Sequence, residues 1–364
     1  MKRQQQLNLW LQSQFPGVPF TLAPASADAS FRRYFRATFE DGSTRIVMDA
    51  PPEHEDCRPF LHVARLFEDA GTHVPHVYAE DLAQGFLLLS DLGNTTYLQA
   101  LTPDNARAMY GAATDALIKI QLASSPDALP PYDEALLRRE LNLFPEWYIA
   151  KHLGITLSDK QQAKLEQVFA RIVANNLSQP RVYVHRDYHS RNLMITEPTG
   201  QARSLLPNLP PLAGEGANES LRDHCLTSPG VIDFQDAVYG PITYDLASLF
   251  KDAYIKWEEP EIIDWLIGYW EKARKAGLPV HADFGQFYWD YEWMGAQRHI
   301  KVLGIFARLC HRDGKDGYLK DMPLVMDYLR AACARSVDLK PLFYLQSRYR
   351  YLALYITFFN YFFN

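Results

Sequence analysis

Two short apolar segments that each end in acidic and amide side chains constrain this chain more than any other feature. Residues 182–184 are Val-Tyr-Val and lead into a polar stretch, residues 185–192, with the spacing H-x-D-x-x-x-x-N. Residues 231–232 are Val-Ile and lead directly into Asp233. Short apolar segments are typical of buried strands, and loops after strands hold side chains on a rigid support. The pattern therefore predicts two strands that deliver polar groups to a catalytic site.

The residue types in these two loops favour phosphoryl transfer from a nucleotide. Asp187 is placed to accept or orient a hydroxyl proton, so we predict it as the catalytic residue. Asn192 and Asp233 offer the oxygen atoms that Mg²⁺ prefers, so we predict them as metal ligands. An exposed aspartate has a pKa of about 4. On that basis Asp187 is expected to be a weak base that mainly orients the acceptor.

Two further residues are expected to support this loop. His185 either braces the loop through a hydrogen bond or acts as a base, and bracing is the simpler interpretation. Asp245 stands at the start of the apolar segment 246–250. A carboxylate at a helix start caps the helix and interacts with its dipole. We therefore expect Asp245 to hold the catalytic loop from behind.

The composition is that of an ordinary globular protein, with 364 residues, 48% hydrophobic and 22% charged. This length suits two lobes that share a cleft. The formal net charge of −6 argues against nucleic-acid binding, which depends on basic surface. The four cysteines contain no CxxC pair, which argues against a structural zinc site. The N-terminal residues lack the apolar run of a signal peptide, so we expect a cytoplasmic protein.

The order of patterns along the chain predicts a strand-rich part followed by a mainly helical part. Residues 31–36 and 45–50 flank an Asp-Gly turn signal and predict a β-hairpin. We place a boundary near residue 92, so that residues 1–92 form the first lobe and residues 93–345 the second. Helical periodicity is present in residues 5–15, 58–70, 104–123, 133–153, 158–175, 243–256, 260–276 and 283–310.

Two segments do not fit this organisation. Residues 203–230 carry four prolines and three glycines with little periodicity, which predicts a surface-loop insertion. A functional lid is the alternative. Residues 346–364 form an aromatic tail whose uncharged run after Arg350 has 14 residues. That run is too short to cross a bilayer, so we expect no stable membrane span. The alternatives for this tail are a last helix that docks its aromatic face, a disordered end that adheres to other surfaces, and contact with a membrane.

The chain resembles the aminoglycoside-phosphotransferase-like kinases, distant relatives of protein kinases. The resemblance rests on residues 185–192, 233–235 and 239–247, and it extends over most of the chain apart from the insertion and the tail. It implies a two-lobed, protein-kinase-like α+β fold with a β-rich, nucleotide-binding N-lobe and a mostly helical C-lobe that binds the acceptor. It also implies ATP as the donor, with Asp187 catalytic and Asn192 and Asp233 holding Mg²⁺.

The nucleotide side departs from the kinase pattern. The resemblance implies phosphate contacts from Ser30, Arg32 and Arg33, and hinge contacts from Ser90 and Asp91. Residues 28–36 contain no glycine, although kinases usually have a glycine-rich loop there. The strand that would carry a phosphate-binding lysine reads Ile-Val-Met-Asp at residues 46–49. Either an arginine replaces that lysine, or Asp49 plays another part, such as holding an arginine.

A narrower resemblance concerns residues 28–36, 48–53, 144–148 and 297–304. These segments are similar to bacterial kinases that phosphorylate the anomeric C1 hydroxyl of N-acetylmuramate and N-acetylglucosamine in cell-wall recycling. The partners implied are a small sugar and a nucleotide; the oligomeric state is left open. One alternative is a kinase of aminoglycosides or of another small metabolite. An alternative of another class is a non-catalytic nucleotide-binding regulator.

The acceptor side is expected to involve four residues. Glu140, Glu146 and Trp147 lie on one predicted helix, and sugars are bound by carboxylate hydrogen bonds and aromatic stacking. Burial in the core is the alternative for Trp147. Arg298 would recognise the lactyl carboxylate of N-acetylmuramate through two parallel hydrogen bonds. A surface or supporting position is the alternative for Arg298.

Overall fold

The structure is a computed structural model that describes residues 3–27, 31–196 and 228–342. The chain divides into two compact units, Met1–Ala123 with Arg191–Ala237 and Ser124–Ser190 with Val238–Asn364. The first unit is rich in strands and the second in helices, as the predicted α+β class requires. Neither unit begins or ends at residue 92, so the lobe boundary predicted there remains a prediction. Ser30, residues 203–227 and the predicted tail 346–364 lie outside the described residues.

The described strands and helices can be given in chain order. The strands are β1 (Phe20–Ala27), β2 (Arg33–Phe39), β3 (Thr44–Asp49), β4 (Val77–Asp81), β5 (Phe86–Ser90), β6 (Arg181–Val184), β7 (Leu193–Met194), β8 (Gly230–Val231) and β9 (Val238–Pro241). The α-helices are α1 (Arg3–Gln14), α2 (Arg58–Asp69), α3 (Tyr97–Ala100), α4 (Ala106–Leu122), α5 (Glu134–Leu143), α6 (Asp159–Ser178), α7 (Tyr244–Phe250), α8 (Glu259–Lys275), α9 (Phe284–Asp313) and α10 (Met322–Arg335). A π-helix occupies Phe144–His152, and short 3₁₀ turns occupy Asp316–Asp321 and Val337–Leu339.

The first unit contains a five-stranded antiparallel sheet in the order β1-β2-β3-β5-β4. The predicted hairpin is confirmed as β2 and β3, joined by a turn in which Gly42 has a φ of 79°. Glycine takes this left-handed conformation without strain. The hairpin register places Arg33 directly opposite Asp49.

Helix α1 packs on this sheet because its apolar residues recur at helical spacing. The buried face consists of Leu7, Trp10 and Leu11. These side chains belong to one core cluster with Val47 and Phe86, on the adjacent strands β3 and β5. Positions separated by three or four residues lie on one side of a helix, so the spacing alone predicts this buried stripe.

The pair β7–β8 explains how distant residues meet in the first unit. The two strands are antiparallel, with Leu193 opposite Val231. The hydroxyl of Thr196 donates to the carbonyl of Ser228 at 3.1 Å, so the chain leaves and re-enters the described part at neighbouring points. This geometry is what an inserted loop requires; the insertion itself stays a prediction.

In the second unit, β6 pairs with β9 and the remaining described elements are mainly helical. Helix α9 has 30 residues, and every residue from 291 to 304 is buried. That stretch includes Glu292, Gln297, Arg298, His299 and Lys301. Polar groups buried to this degree need hydrogen-bond partners, so the middle of α9 must be matched by polar residues on its neighbours.

The predicted single helix over residues 133–153 is wrong in its second half. Helix α5 ends at Leu143, and a π-helix continues to His152. Pro145 at its start has no N–H to donate, so the α-helical hydrogen-bond ladder is interrupted there. A Cβ on Gly304 of α9 would lie 2.5 Å from the carbonyl carbon of Leu143. Only glycine therefore allows α9 to pass this close to the joint.

The predicted helix over residues 243–256 is also shorter than expected, because α7 ends at Phe250. The carboxylate of Asp252 accepts hydrogen bonds from the N–H groups of Ser190 and Tyr254, both at 3.0 Å. A side chain that bonds nearby backbone in this way competes with continuation of the helix. None of the described helices combines the length and the apolar character needed to cross a membrane.

Candidate active site

The loop that carries Asp187 follows β6 and is held by the start of α7. The carboxylate of Asp245 accepts hydrogen bonds from the N–H groups of His185 at 2.7 Å and Arg186 at 3.0 Å. The N–H of Asp187 in turn donates to Nδ1 of His185 at 3.2 Å. Both predicted supporting residues thus contact the loop, His185 in the bracing geometry. Their functional roles remain predictions.

Asp187 differs from the exposed aspartate that the sequence suggested. Its side chain is half-buried. Burial alone would raise the pKa of Asp187, but nearby positive charges outweigh that effect and lower it to about 2. The charges belong to Lys301, His189, Arg298 and Arg186. Asp187 is therefore ionised at neutral pH, where a carboxylate accepts and orients a hydroxyl proton but removes it only weakly.

Asp245 has the opposite electrostatic setting. Burial raises the pKa of Asp245 to about 7, against the lowering effect of its two backbone hydrogen bonds. The negative charge of Asp187 contributes to the increase. Two carboxylates in one unit are therefore separated in acidity, with Asp187 kept ionised and Asp245 close to half-ionised at neutral pH.

Glu140 requires a correction. The sequence predicted it as a sugar contact, yet its side chain is only 4% exposed. One carboxylate oxygen accepts from Arg186 and Lys301, and the other accepts from Tyr132 and Gln297. A carboxylate with four donors has no remaining position for a sugar hydroxyl. Glu140 therefore lies beneath the catalytic loop instead of at an acceptor surface.

The other predicted acceptor residues occupy different environments. Glu146 is exposed and Trp147 is half-buried, both on the π-helix. Arg298 is 3% exposed, and its Nη1 has no hydrogen-bond partner among the described residues. A buried guanidinium nitrogen without a partner is costly. The electrostatic effect of Arg298 on both Asp187 and Asp245 indicates that it lies near the catalytic loop.

In the first unit, Asn192 and Asp233 are brought together at one end of the β7–β8 pair. The N–H of Ile232 donates to the carbonyl of Asn192 at 3.1 Å, and the Asn192 amide nitrogen donates to Oδ2 of Asp233 at 3.2 Å. Gln235 donates to Oδ1 of Asp233 at 2.8 Å. Phe234 anchors the loop by packing on Phe60 of α2, with ring centroids 4.9 Å apart.

The chemistry of this pair fits a magnesium ion. Mg²⁺ takes oxygen ligands, usually one or two from protein and the rest from phosphate and water. The Asn192 amide nitrogen faces Asp233, and the same side chain carries a carbonyl oxygen, the kind of ligand atom that Mg²⁺ prefers. Asp233 adopts a left-handed backbone with a φ of 64°, which is uncommon for a residue other than glycine. Such outliers persist where the surroundings over-determine them, often at functional sites.

The strand position where kinases carry a phosphate-binding lysine lies on β3, and here the carboxylate of Asp49 on that strand binds two arginines. Asp49 is fully buried. Arg3 donates to Oδ1 of Asp49 at 2.8 Å, and Arg33 donates to Oδ2. Arg3 is further fixed by lying 4.6 Å from the ring centroid of Phe86. The alternative in which Asp49 holds an arginine is therefore confirmed. The side chain of Arg33 remains 51% exposed.

The remaining predicted nucleotide residues are placed as follows. Arg32 lies 3.7 Å from the carboxylate of Glu55. Both oxygens of Asp91 accept hydrogen bonds from Arg36, at 2.5 and 2.9 Å. The hydroxyl of Ser90 accepts from the N–H of His76 at 2.9 Å. Their contacts with a nucleotide stay predictions, and Ser30 lies outside the described residues.

Sequence reasoning missed the residues that surround Glu140. Lys301, Gln297 and Tyr132 were not predicted as part of the site. A usable signal was present, since residues 297 and 301 are one helical turn apart in the helix predicted over residues 283–310. Two polar residues at that spacing on a buried helix face predict a shared polar partner.

Comparisons with known proteins give a matching family model and similar individual proteins. The family model described as the phosphotransferase enzyme family matches residues 21–203 and 226–284. An N-acetylmuramate/N-acetylglucosamine kinase of Pseudomonas aeruginosa is 48% identical over 350 residues, which cover 93% of this chain and 95% of that protein. A protein of the same name from Neisseria meningitidis serogroup B is 46% identical over 349 residues, covering 95% of each chain.

A solved structure supports the fold. The crystal structure of an ADP-bound aminoglycoside phosphotransferase matches with a TM-score of 0.56 at 13% identity, over 89% of this chain and 97% of that one. At this identity the likeness concerns architecture alone. It confirms the expected kinase-like α+β fold.

Proposed function

The chain belongs to the phosphotransferase enzyme family, and from this premise we propose that it phosphorylates the anomeric hydroxyl of N-acetylmuramate or N-acetylglucosamine, using ATP and Mg²⁺. The observation that carries the substrate proposal is the 48% identity, over nearly the full length of both chains, to a kinase named for these two sugars. The resemblance to the wider aminoglycoside-phosphotransferase-like kinases, inferred from the sequence, is confirmed. Cytoplasmic location remains a prediction.

The roles of the chain's own residues follow from their charges and contacts. Asp187 orients the sugar hydroxyl and accepts its proton as the hydroxyl oxygen bonds to the γ-phosphorus of ATP and the bond from that phosphorus to ADP, the leaving group, breaks. Because Asp245 and His185 fix the loop backbone, the Asp187 carboxylate starts close to its working geometry. Asn192 and Asp233 would hold Mg²⁺, which supplies charge neutralisation at the phosphates. The protein otherwise contributes positioning, which is most of what phosphoryl transfer requires.

The test of the proposed function is ADP release over a panel of acceptors. We expect release with N-acetylmuramate and N-acetylglucosamine, and none with kanamycin or without acceptor. Turnover of kanamycin alone would replace the sugar proposal with an aminoglycoside kinase. Binding of Mg-ATP without turnover of any acceptor would favour the non-catalytic regulator, for which the missing strand lysine is the motivating feature.

Arg33 is proposed to bind the nucleotide phosphates in place of the missing lysine. Asp49 holds its guanidinium on one side, and half of the side chain remains exposed. A hydrogen bond to a charged group contributes about 1.5–3 kcal/mol, so Arg33→Ala is expected to raise the KM for ATP about 10-fold or more. The KM for the sugar should change little, whereas the Tm should fall because the buried Asp49 loses one of its two arginine partners.

A matched control for Arg33 is Arg58→Ala in the same unit. Arg58 pairs with Asp56, and its side chain is 78% exposed. Arg58→Ala therefore removes the same charge as Arg33→Ala, but the aspartate that it leaves behind is not buried. Steady-state kinetics over ATP concentration compare the two variants. An Arg33→Ala enzyme with the wild-type KM for ATP would exclude Arg33 as the phosphate ligand.

Arg298 is proposed to distinguish the two sugars. N-acetylmuramate carries a lactyl carboxylate that N-acetylglucosamine lacks, and Arg298 has a buried donor with no hydrogen-bond partner in the part of the chain that the structure describes. Arg298→Met is expected to lower kcat/KM for N-acetylmuramate about 10-fold more than for N-acetylglucosamine, since one charge-assisted contact is lost. Any effect of the substitution on Asp187 changes kcat/KM for both sugars by the same factor, so it cancels in the ratio of the two values. An unchanged ratio contradicts the assignment.

A further inference from the structure

A buried polar network lies beneath the catalytic loop in the second unit. At its centre is the carboxylate of Glu140 on α5. Oε1 accepts from Arg186 at 2.5 Å and forms an ion pair with Lys301 at 3.1 Å. Oε2 accepts from the Tyr132 hydroxyl and from Gln297 at 3.1 Å. Lys301 also donates to the hydroxyl of Tyr244 at 2.9 Å, the residue that precedes Asp245. These residues come from α5, α7, α9 and two loops.

The network has one more positive charge than negative charge unless Asp187 is counted as part of it. Glu140 brings one negative charge, whereas Arg186 and Lys301 bring two positive charges. Burial would raise the pKa of Glu140, but Lys301 and Arg186 lower it overall. Burial would likewise lower the pKa of Lys301, but Glu140 raises it overall. All three side chains are thus charged, and the second positive charge acts on Asp187.

Arg186 connects the network to the catalytic residue. It immediately precedes Asp187 and has a φ of 78°, a left-handed conformation that arginine rarely adopts. Such a conformation is retained only where the surroundings determine it. Two contacts do so here: the Arg186 N–H donates to Asp245 at 3.0 Å, and its guanidinium is held by Glu140.

We infer that Glu140 and Lys301 are positioning residues for phosphoryl transfer. Glu140 fixes the Arg186 guanidinium and thereby the backbone that presents Asp187, while Lys301 links Glu140 to Tyr244, the neighbour of Asp245 that holds the same loop. Neither side chain contacts the sugar in this assignment. The inference rests on the proposed kinase activity.

The diagnostic variant is Arg186→Gly. Glycine adopts a φ of 78° without strain, so this change removes the guanidinium while retaining the backbone shape. A displacement of about 1 Å at a reacting group costs about 100-fold in rate. We expect kcat to fall about 100-fold, with the KM for the sugar within about threefold of wild type. The Tm should fall as well, because Glu140 loses one of its buried positive partners.

The double variant Glu140→Gln/Lys301→Met separates positioning from folding. Removing one charge of a buried pair is strongly destabilising, whereas removing both often is not. We expect a folded enzyme with kcat reduced as in Arg186→Gly. Its pH profile should also change: the acid limb of kcat moves to higher pH, because Asp187 loses one positive neighbour and retains Arg186, Arg298 and His189. A merely structural role would lower the Tm without moving this limb.

The control is Glu134→Gln on the same helix. Glu134 forms an exposed pair with Arg138 at 2.7 Å, so its loss should leave kcat and the pH profile unchanged. If Arg186→Gly and the double variant both keep the wild-type kcat and acid limb, the inference is overturned. If the wild-type chain itself turns over no sugar, the proposed function fails instead, and the two failures are distinguishable.

Discussion

Replacing Asp187 with asparagine is expected to lower kcat about 1,000-fold, with the KM for ATP nearly unchanged. The amide has the shape of the carboxylate but neither accepts the acceptor's proton nor carries the negative charge that the surrounding cations stabilise. Those cations hold the pKa of Asp187 at about 2, so the wild-type enzyme has this group ionised throughout the neutral range. Initial rates of ADP release over both substrate concentrations give kcat and KM separately.

Asp159→Asn provides the matched control, because Asp159 is an exposed aspartate in the first turn of α6. It should retain wild-type kinetics. The folded state of Asp187→Asn is checked by its Tm, which should be no lower than that of the wild type by more than a few degrees. A variant that keeps more than one tenth of kcat would show that Asp187 does not handle the acceptor hydroxyl.

Replacing Asp233 with asparagine is expected to reduce kcat/KM for ATP by at least about 100-fold and to raise the Mg²⁺ concentration required for half-maximal rate. Loss of groups that only orient metal ligands costs about 10–100-fold in metal affinity, and a direct ligand contributes at least as much. Asparagine is the appropriate replacement, because it tolerates the left-handed backbone of Asp233 better than most residues. The change therefore removes charge without adding strain.

The Mg²⁺ titration distinguishes this effect from a general loss of activity. Asp187→Asn should retain the wild-type Mg²⁺ midpoint while losing kcat, whereas Asp233→Asn should shift the midpoint. Equal midpoints for the wild type and Asp233→Asn would contradict the metal assignment.

Local patterns in the sequence predicted the parts of the structure that depend on local physics. The β2–β3 hairpin follows from alternating residues around an Asp-Gly turn, and α1 follows from apolar residues spaced three and four apart. The proximity of Asn192 and Asp233 was also predictable, once residues 203–230 were interpreted as an insertion. The contact depends on a two-residue strand pair, which the apolar segment before Asp233 already indicated.

The errors concern residues whose environment is set by tertiary contacts. Glu140 looked like an accessible carboxylate on a helix, because periodicity does not reveal that Lys301, more than 150 residues later, lies against it. The pKa of Asp187 was misjudged for the same reason, since two of its four positive neighbours, Lys301 and Arg298, come from α9. The π-helix was missed because helical periodicity over residues 133–153 does not reveal the change of helix type at Phe144, next to Pro145.

The position of phosphate on the product tests the central claim most directly. The wild-type protein is incubated with ATP, Mg²⁺ and N-acetylmuramate, and the product is analysed by phosphorus and proton NMR. The account predicts a phosphorus signal coupled to the anomeric proton and a sugar that has lost its reducing end. A phosphorus signal coupled to the C6 protons, with the reducing end intact, would contradict it.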